Sequence, residues 1–177
     1  MTQEYISVLG TDSNDTVLGT SAPNFINGRD GNDIINGLEG DDILSGASGA
    51  DHFTYSALPQ SGLPQGNAYY QGVDAIIDFS RSEGDRIDFS NLSPSTPNGL
   101  TFSGTAPAPY SIYYNVGVEF PYDIVTGTDL EWLTEGDGVT LMVDLDGNSE
   151  EGPEIMATVW GWFGEPLTHI AASDLIL

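Results

Sequence analysis

The chain has 177 residues, of which 27 are acidic and only three are basic, so its net charge is −24, and it contains no cysteine. This charge opposes unaided binding to nucleic acid or to an anionic membrane surface, and neither is predicted as a partner. The lack of cysteine excludes disulfides and thiolate metal sites. No segment has the roughly 20 consecutive apolar residues of a membrane-spanning helix.

Residues 10–54 consist of consecutive nine-residue repeats, and this block is the organising feature of the sequence. Each repeat starts with glycine, namely Gly10, Gly19, Gly28, Gly37 and Gly46. The sixth place holds an acid or an amide, namely Asp15, Asn24, Asp33, Asp42 and Asp51. The eighth place is apolar, namely Val17, Ile26, Ile35, Leu44 and Phe53. A fixed period of this kind predicts stacked structural repeats.

Each repeat suits one three-residue strand with its middle side chain pointing inward, followed by a turn. Two repeats close one coil, so the sixth-place residues on one side of the coil are stacked, with Asp33 between Asp15 and Asp51. On the other side, Asp42 lies beside Asn24. Carboxylates one strand spacing apart, about 4.8 Å, repel each other unless a cation lies between them. Ca²⁺ accepts about six to eight hard oxygen ligands, and we therefore predict stacked calcium sites.

The period is interrupted over residues 56–71, which are predicted to be a loop, and then resumes in weaker form. Asp74 and Asp85 keep the spacing from an acid to an inward apolar residue. If the sides of the coil continue to alternate, Asp74 falls beside Asp42 and Asp85 beside Asp51, which gives two further candidate sites. The alternative is a pair of ordinary strands with polar ends. Asp78 and Asp88 are secondary candidates.

The rest of the chain is predicted to be a β-rich, β-sandwich-like lobe. Residues 139–143 and 155–160 alternate in polarity and predict a hairpin. Its acidic turn holds Asp144, Asp146 and Asn148, which begin like an EF-hand loop, although Ser149 and Ile155 stand where that loop requires glycine and glutamate. A tentative calcium site and a plain acidic turn both fit. Three apolar residues in the outward seventh place predict that one roll face is covered: Phe25, Ile34 and Ile43.

Residues 28–36, 37–45 and 46–54 resemble the G-G-x-G-x-D-x-U-x repeat of RTX (hemolysin-type) proteins, although each lacks the second glycine. Segments 49–55, 74–79 and 84–90 resemble the C-terminal region of serralysin-type secreted metalloproteases. The resemblance implies a right-handed parallel β-roll that binds about three to five Ca²⁺ ions. Besides the sixth-place residues, Asp74 and Asp85, the predicted site residues lie in the turns: Gly28, Asp30, Gly31, Gly37, Glu39, Gly40, Gly46 and Gly49.

The resemblance also predicts how the chain is organised and where it works. It implies a calcium roll over 1–55, a loop and degenerate continuation of the roll over 56–90, and the lobe over 91–177. The final Asp174, Leu175, Ile176 and Leu177 look like the uncleaved C-terminal signal that a type I (ABC-transporter) secretion apparatus recognises. We therefore expect a secreted, extracellular protein that folds on meeting calcium. An N-terminal catalytic or adhesin domain is a further possible partner.

No catalytic function is predicted. The sequence has no H-E-x-x-H or G-x-S-x-G motif, and His52 and His169 are isolated. The alternative function is a calcium-dependent polysaccharide-binding accessory module of a secreted carbohydrate-active enzyme or adhesin. Its aromatic residues could stack on sugars, or they could fill the core of the lobe: Tyr69, Tyr70, Tyr110, Tyr113, Tyr114, Tyr122, Trp132, Trp160 and Trp162.

Overall fold

A computed structural model describes residues 4–56, 73–92, 99–116, 138–144, 155–161 and 167–177. Within these ranges the strands are β1 (Ile6–Leu9), β2 (Thr16–Thr20), β3 (Asn24–Asn27), β4 (Ile34–Leu38), β5 (Ile43–Ser45), β6 (His52–Thr54), β7 (Val73–Phe79), β8 (Arg86–Asp88), β9 (Thr101–Gly104), β10 (Ser111–Val116), β11 (Val139–Val143), β12 (Ile155–Gly161) and β13 (Leu175–Ile176). Residues 172–174 form a 3₁₀ turn. In the part of the chain described, no helix is long and apolar enough to cross a membrane.

The strands of the repeat block alternate between two parallel sheets. Strands β1, β3 and β5 lie side by side in one sheet, and β2, β4 and β6 lie side by side in the other. Ile26 pairs with Val8 and Leu44, and Ile35 pairs with Val17 and Phe53. Ile26, Ile35 and Phe53 are completely buried in the core between the sheets. The predicted all-β parallel roll, with eighteen residues in each coil, is therefore confirmed.

Strands β7 and β8 add to the same two sheets. β7 pairs in parallel with β5, with Ile43 opposite Ala75, and β8 pairs in parallel with β6, with Phe53 opposite Ile87. All seven residues of β7 are buried. The alternation between the two sheets thus persists beyond the repeat block, as the predicted continuation of the roll requires.

The C-terminal strands enlarge one sheet of the roll. β12 pairs in parallel with β7, β11 lies antiparallel to β12 as the predicted hairpin requires, and β10 and β9 complete an eight-stranded sheet. The expected β-sandwich-like lobe is not confirmed, because these strands continue the roll sheet. A physical reason is that β7 would otherwise leave a row of backbone hydrogen-bonding groups unpaired at a buried edge. The predicted domain limits stay predictions.

Among the described residues, an apolar cluster covers the outer face of the eight-stranded sheet. Ile43, Ala75, Ile77 and Trp160 form a second buried cluster there, with Tyr5 and Phe25 packed against it. On the outer face of the five-stranded sheet, Ile34 is 44% exposed. The apolar seventh place therefore marks a covered face at Phe25 and Ile43, but not at Ile34.

Candidate metal centre in the stacked turns

The sixth-place side chains form two ladders along the roll. In the first ladder, the backbone N–H groups of Asp15, Asp33 and Asp51 donate to Oδ1 of the next acid along, at 2.8, 2.8 and 2.9 Å; the acceptors are Asp33, Asp51 and Asp85. In the second ladder, the N–H of Asn24 donates to Asp42 at 2.7 Å, and that of Asp42 donates to Asp74 at 3.1 Å. The structure thus places Asp74 beside Asp42 and Asp85 beside Asp51.

In three of these acids, the second carboxylate oxygen has no donor among the described residues. Oδ2 of Asp33, Asp42 and Asp51 is buried and accepts no hydrogen bond from any described residue. A Cβ atom built on Gly28, Gly37 or Gly46 would collide with this oxygen of the acid in its own turn. A buried charged oxygen without a partner is costly. The first-place glycine therefore leaves room beside an oxygen that needs a cation or another donor.

The turns that contain these three acids share a left-handed backbone. Their second residues, Arg29, Leu38 and Ala47, have φ values of 76°, 71° and 63°, although this region is unfavourable for residues other than glycine. The fourth-place glycines Gly31, Gly40 and Gly49 also have positive φ. The sequence lacks the second glycine of the repeat, but the residues in its place keep the left-handed conformation that glycine favours.

Side-chain acceptors hold these strained second residues in place. The N–H groups of Arg29 and Leu38 donate to Oδ1 of Asn27 and Asn36, each at 2.9 Å. The N–H of Ala47 donates to Oδ2 of Asp78, also at 2.9 Å. Sequence reasoning missed these roles of Asn27 and Asn36. The signal that could have revealed them is that both asparagines fill the ninth place of their repeats.

The first two turns of the roll are built differently. Oδ2 of Asp15 accepts hydrogen bonds from the N–H and the hydroxyl of Thr11, at 2.6 and 2.8 Å. Oδ1 of Asn24 accepts from the N–H of Thr20 at 2.6 Å. Neither Thr11 nor Thr20 has a positive φ. Asp15 and Asn24 therefore lie in the ladders as predicted, but the oxygen that faces their own turn is already bonded within the chain.

Burial dominates the electrostatics of the later turns. It raises the pKa of Asp42 to about 7, that of Asp51 to about 6 and that of Asp85 to about 7. Burial also raises the pKa of Asp33, and it raises that of Asp74 well above its usual value. By contrast, the hydrogen bonds from Thr11 lower the pKa of Asp15. The environment of these buried carboxylates thus favours a bound proton or a bound cation.

The donor set suits a hard cation that takes main-chain ligands as well as carboxylates. Among the described residues, no group of three or more His, Cys, Asp or Glu side chains converges on one point. The side chains of the third-place residues Asp30 and Glu39 are exposed, and their role as ligands stays a prediction. Ca²⁺ accepts such a mixture of carboxylate and carbonyl oxygens. The residues present therefore fit calcium in the turns of Asp33, Asp42 and Asp51.

Two other predicted sites differ from these three. The second oxygen of Asp85 is bonded within the chain, and the EF-hand-like site that begins at Asp144 lies partly outside the described ranges. Oδ2 of Asp85 accepts a hydrogen bond from the N–H of Ser80 at 2.8 Å. Asp144 is buried, and its N–H donates to the carbonyl oxygen of Ser111 at 2.9 Å. Asp146 and Asn148 lie outside the described residues, so the EF-hand-like site stays a prediction.

The predicted secretion signal is part of the folded roll. Asp174 is 2% exposed and accepts hydrogen bonds from Nε and Nη2 of Arg81, the shortest at 2.7 Å. Leu175 and Ile176 form β13, which pairs in parallel with β8. The side chain of Leu177 is 43% exposed. Only the last of the four predicted signal residues is therefore well exposed.

Two of the four described aromatic residues predicted for sugar stacking are buried, and the other two are partly exposed. Tyr113 and Trp160 are buried, and Tyr114 stacks on Phe102 with ring centroids 6.1 Å apart. Tyr110 is partly exposed, and the other five residues lie outside the described ranges. Polysaccharide binding stays a prediction.

Comparison with known proteins gives one family match. The model of the RTX calcium-binding nonapeptide repeat, which spans four copies of the repeat, matches residues 9–44 and 18–53. No curated protein matches the sequence. Among solved structures, the chain is similar to the solution structure of the AlgE6R3 subunit of the mannuronan C5-epimerase from Azotobacter vinelandii. That match has 23% identity and a TM-score of 0.46, and covers 98% of this chain and 83% of that one.

Proposed function

We propose that this chain is a non-catalytic module whose roll folds on binding calcium outside the cell. The match of residues 9–44 and 18–53 to the RTX calcium-binding nonapeptide repeat supports this proposal. The observation that carries the proposal is the buried Oδ2 atom of Asp33, Asp42 and Asp51, which has no donor among the described residues and faces a first-place glycine. Calcium would supply the positive charge that these oxygens need.

The mechanism follows from the balance between a thin core and concentrated charge. Each repeat contributes one inward apolar side chain to the stack between the sheets, so burial of apolar surface stabilises a single coil only weakly. The ladders bring like charges one strand spacing apart and bury them. A cation that binds only the folded form shifts the equilibrium toward folding. Sites with the affinity of extracellular calcium modules, roughly 10⁻⁴ to 10⁻³ M, would be empty inside a cell.

Circular dichroism during a calcium titration tests this proposal. We expect the β-sheet signal to appear cooperatively as calcium is added to the chelated chain. Mg²⁺ is the matched control, because it demands octahedral geometry and loses its water reluctantly, and it should not substitute at equal concentration. A chain with the same folded spectrum in chelator and in calcium would contradict the proposal.

We propose further that the C-terminal residues direct export through a type I secretion apparatus before the roll folds. In the folded roll, Asp174 is held by Arg81 and Leu175 is buried. A receptor could therefore contact the whole signal only in the unfolded chain. The low concentration of free calcium inside the cell would keep the chain in that state.

Two substitutions separate the export signal from the fold. Leu177→Asp changes an exposed signal residue, so it should reduce secretion while the calcium-bound fold remains intact. Arg81→Leu removes the ion pair of Asp174 but leaves the signal sequence unchanged, so the chain should still be secreted even if its fold is weakened. Secretion of both variants at the level of the unmodified chain would contradict the export proposal.

A further inference from the structure

Asp78, at the end of β7, has its carboxylate inside the turn that begins at Gly46. Its Oδ2 accepts hydrogen bonds from the hydroxyl of Ser45 at 2.6 Å and from the N–H of Ala47 at 2.9 Å. Its Oδ1 accepts from the N–H of Gly46 at 3.1 Å. Ser45, the last residue of β5, and the first two residues of the turn thus donate to the carboxylate of Asp78, which is only 8% exposed.

The two preceding turns obtain the same support from within the repeat. There, the ninth-place residues Asn27 and Asn36 accept the N–H of the left-handed residue two positions later. The ninth place of the next repeat is Ser45, whose hydroxyl donates to Asp78. Asp78 therefore stands in the position of the missing asparagine, and it comes from a strand about thirty residues away in sequence.

We propose that Asp78 is a positioning residue for the calcium site of Asp51, because it holds the turn of residues 46–51 in the conformation that the site requires. The inference rests on the proposed calcium function. Ala47 has a φ of 63°, which is unfavourable for alanine. Without an acceptor for its N–H, little would stabilise this conformation. Asp78 thus acts on the metal through the turn, without itself being required as a ligand.

The inference also makes the last of the three turns dependent on β7. That strand contacts turns on both sides of the roll, because Asp74 near its start accepts the N–H of Asp42 and Asp78 near its end accepts from Gly46 and Ala47. The turns at Asp33 and Asp42 have their own asparagines. The turn at Asp51 becomes complete only when β7 has paired with β5.

The test is a calorimetric calcium titration of a small set of variants of the full chain, with the number and affinity of bound ions as the readout. Asp78→Ala should weaken binding at one site about tenfold, since hydrogen bonds to a charged group are among the strong ones, or remove one ion from the count. The matched variant Asn36→Ala should weaken a different single site. Asp78→Ala combined with Asn36→Ala should therefore weaken two sites.

Two rescue variants distinguish positioning from general damage to the fold. In the Asp78→Ala background, Ser45→Asn restores the ninth-place acceptor, and Ala47→Gly removes the need for it. We expect at least one of them to recover most of the lost affinity. Unchanged calcium binding in Asp78→Ala, or a loss that neither change recovers, would overturn the inference while leaving the calcium function standing. No calcium binding by the unmodified chain would instead overturn the proposed function, and this inference with it.

Discussion

The five turns of the repeat block share one sequence pattern but differ in hydrogen bonding and backbone conformation. The first two turns are residues 10–15 and 19–24, and the last three are residues 28–33, 37–42 and 46–51. In the first two, a threonine in second place donates to the sixth-place side chain. In the last three, the second residue has a left-handed backbone, and one oxygen of the carboxylate has no donor among the described residues. The sixth-place side chain alone therefore does not show whether its oxygen is available, because the turns with threonine in second place bond that oxygen within the chain.

The largest expected effect comes from replacing equivalent acids in the two kinds of turn. Asp33→Asn removes an available carboxylate oxygen, and it should raise the calcium midpoint for folding by about tenfold or more, because ligand charge sets the affinity of calcium sites. Asp15→Asn, in the same ladder, should raise it less than about twofold. Circular dichroism measures both midpoints. Equal shifts for the two variants would erase the distinction between the turns.

An intermediate effect is expected from pH in the absence of calcium. Burial raises the pKa of Asp42 and Asp51 to about 7 and about 6, so the folded chain holds more protons than the unfolded chain above their ordinary value of 3.8. Their contribution to stability is fully present below that value, and it is lost as the pH rises through about 6 to 7. Asp15, whose pKa is lowered, has the opposite sign.

Circular dichroism in chelator across this pH range measures the effect. We expect more folded protein near pH 5 than near pH 8. Asp51→Asn should flatten the dependence, because an amide does not titrate, whereas Asp15→Asn should leave this trend in place. A calcium-free chain that becomes more folded as the pH rises would contradict the account of the buried ladders.

The smallest expected effect comes from restoring the second glycine. Leu38 has a left-handed backbone, with φ 71°. Leu38→Gly relieves this strain and should stabilise the calcium-bound fold by about 1 kcal/mol. Thr11→Gly is the matched control, because Thr11 has no such strain to relieve and donates through its hydroxyl to Asp15. Thermal unfolding in saturating calcium compares the two. A stabilising Thr11→Gly, or a destabilising Leu38→Gly, would contradict the comparison.

The sequence was sufficient to predict the features that depend on period. Pairing at eighteen residues follows from the apolar eighth place, and it places Asp33 between Asp15 and Asp51, as the structure shows. Continued alternation of the two sides also placed Asp74 beside Asp42 and Asp85 beside Asp51. These predictions succeed because a one-dimensional stack leaves each coil only its neighbours to contact.

The features that were missed depend on local backbone conformation or on distant contacts. Nothing in the residue type of Leu38 or Ala47 indicates a positive φ, since both normally avoid it. The support from Asp78 comes from another strand, and the pairing of β12 with β7 joins residues about eighty positions apart in the sequence. The burial of Asp174 by Arg81 is likewise a contact between distant segments. No periodic pattern encodes such contacts.

The most direct test of the central claim is a crystal structure of the chain grown with calcium, with the ions located by their anomalous scattering. The account predicts anomalous peaks beside Oδ2 of Asp33, Asp42 and Asp51, each completed by backbone oxygens of the turns. It also predicts that the hydrogen bonds of Thr11 to Asp15 and of Thr20 to Asn24 persist. Peaks confined to the turns of Asp15 and Asn24, or no peak beside any of the three later acids, would contradict it.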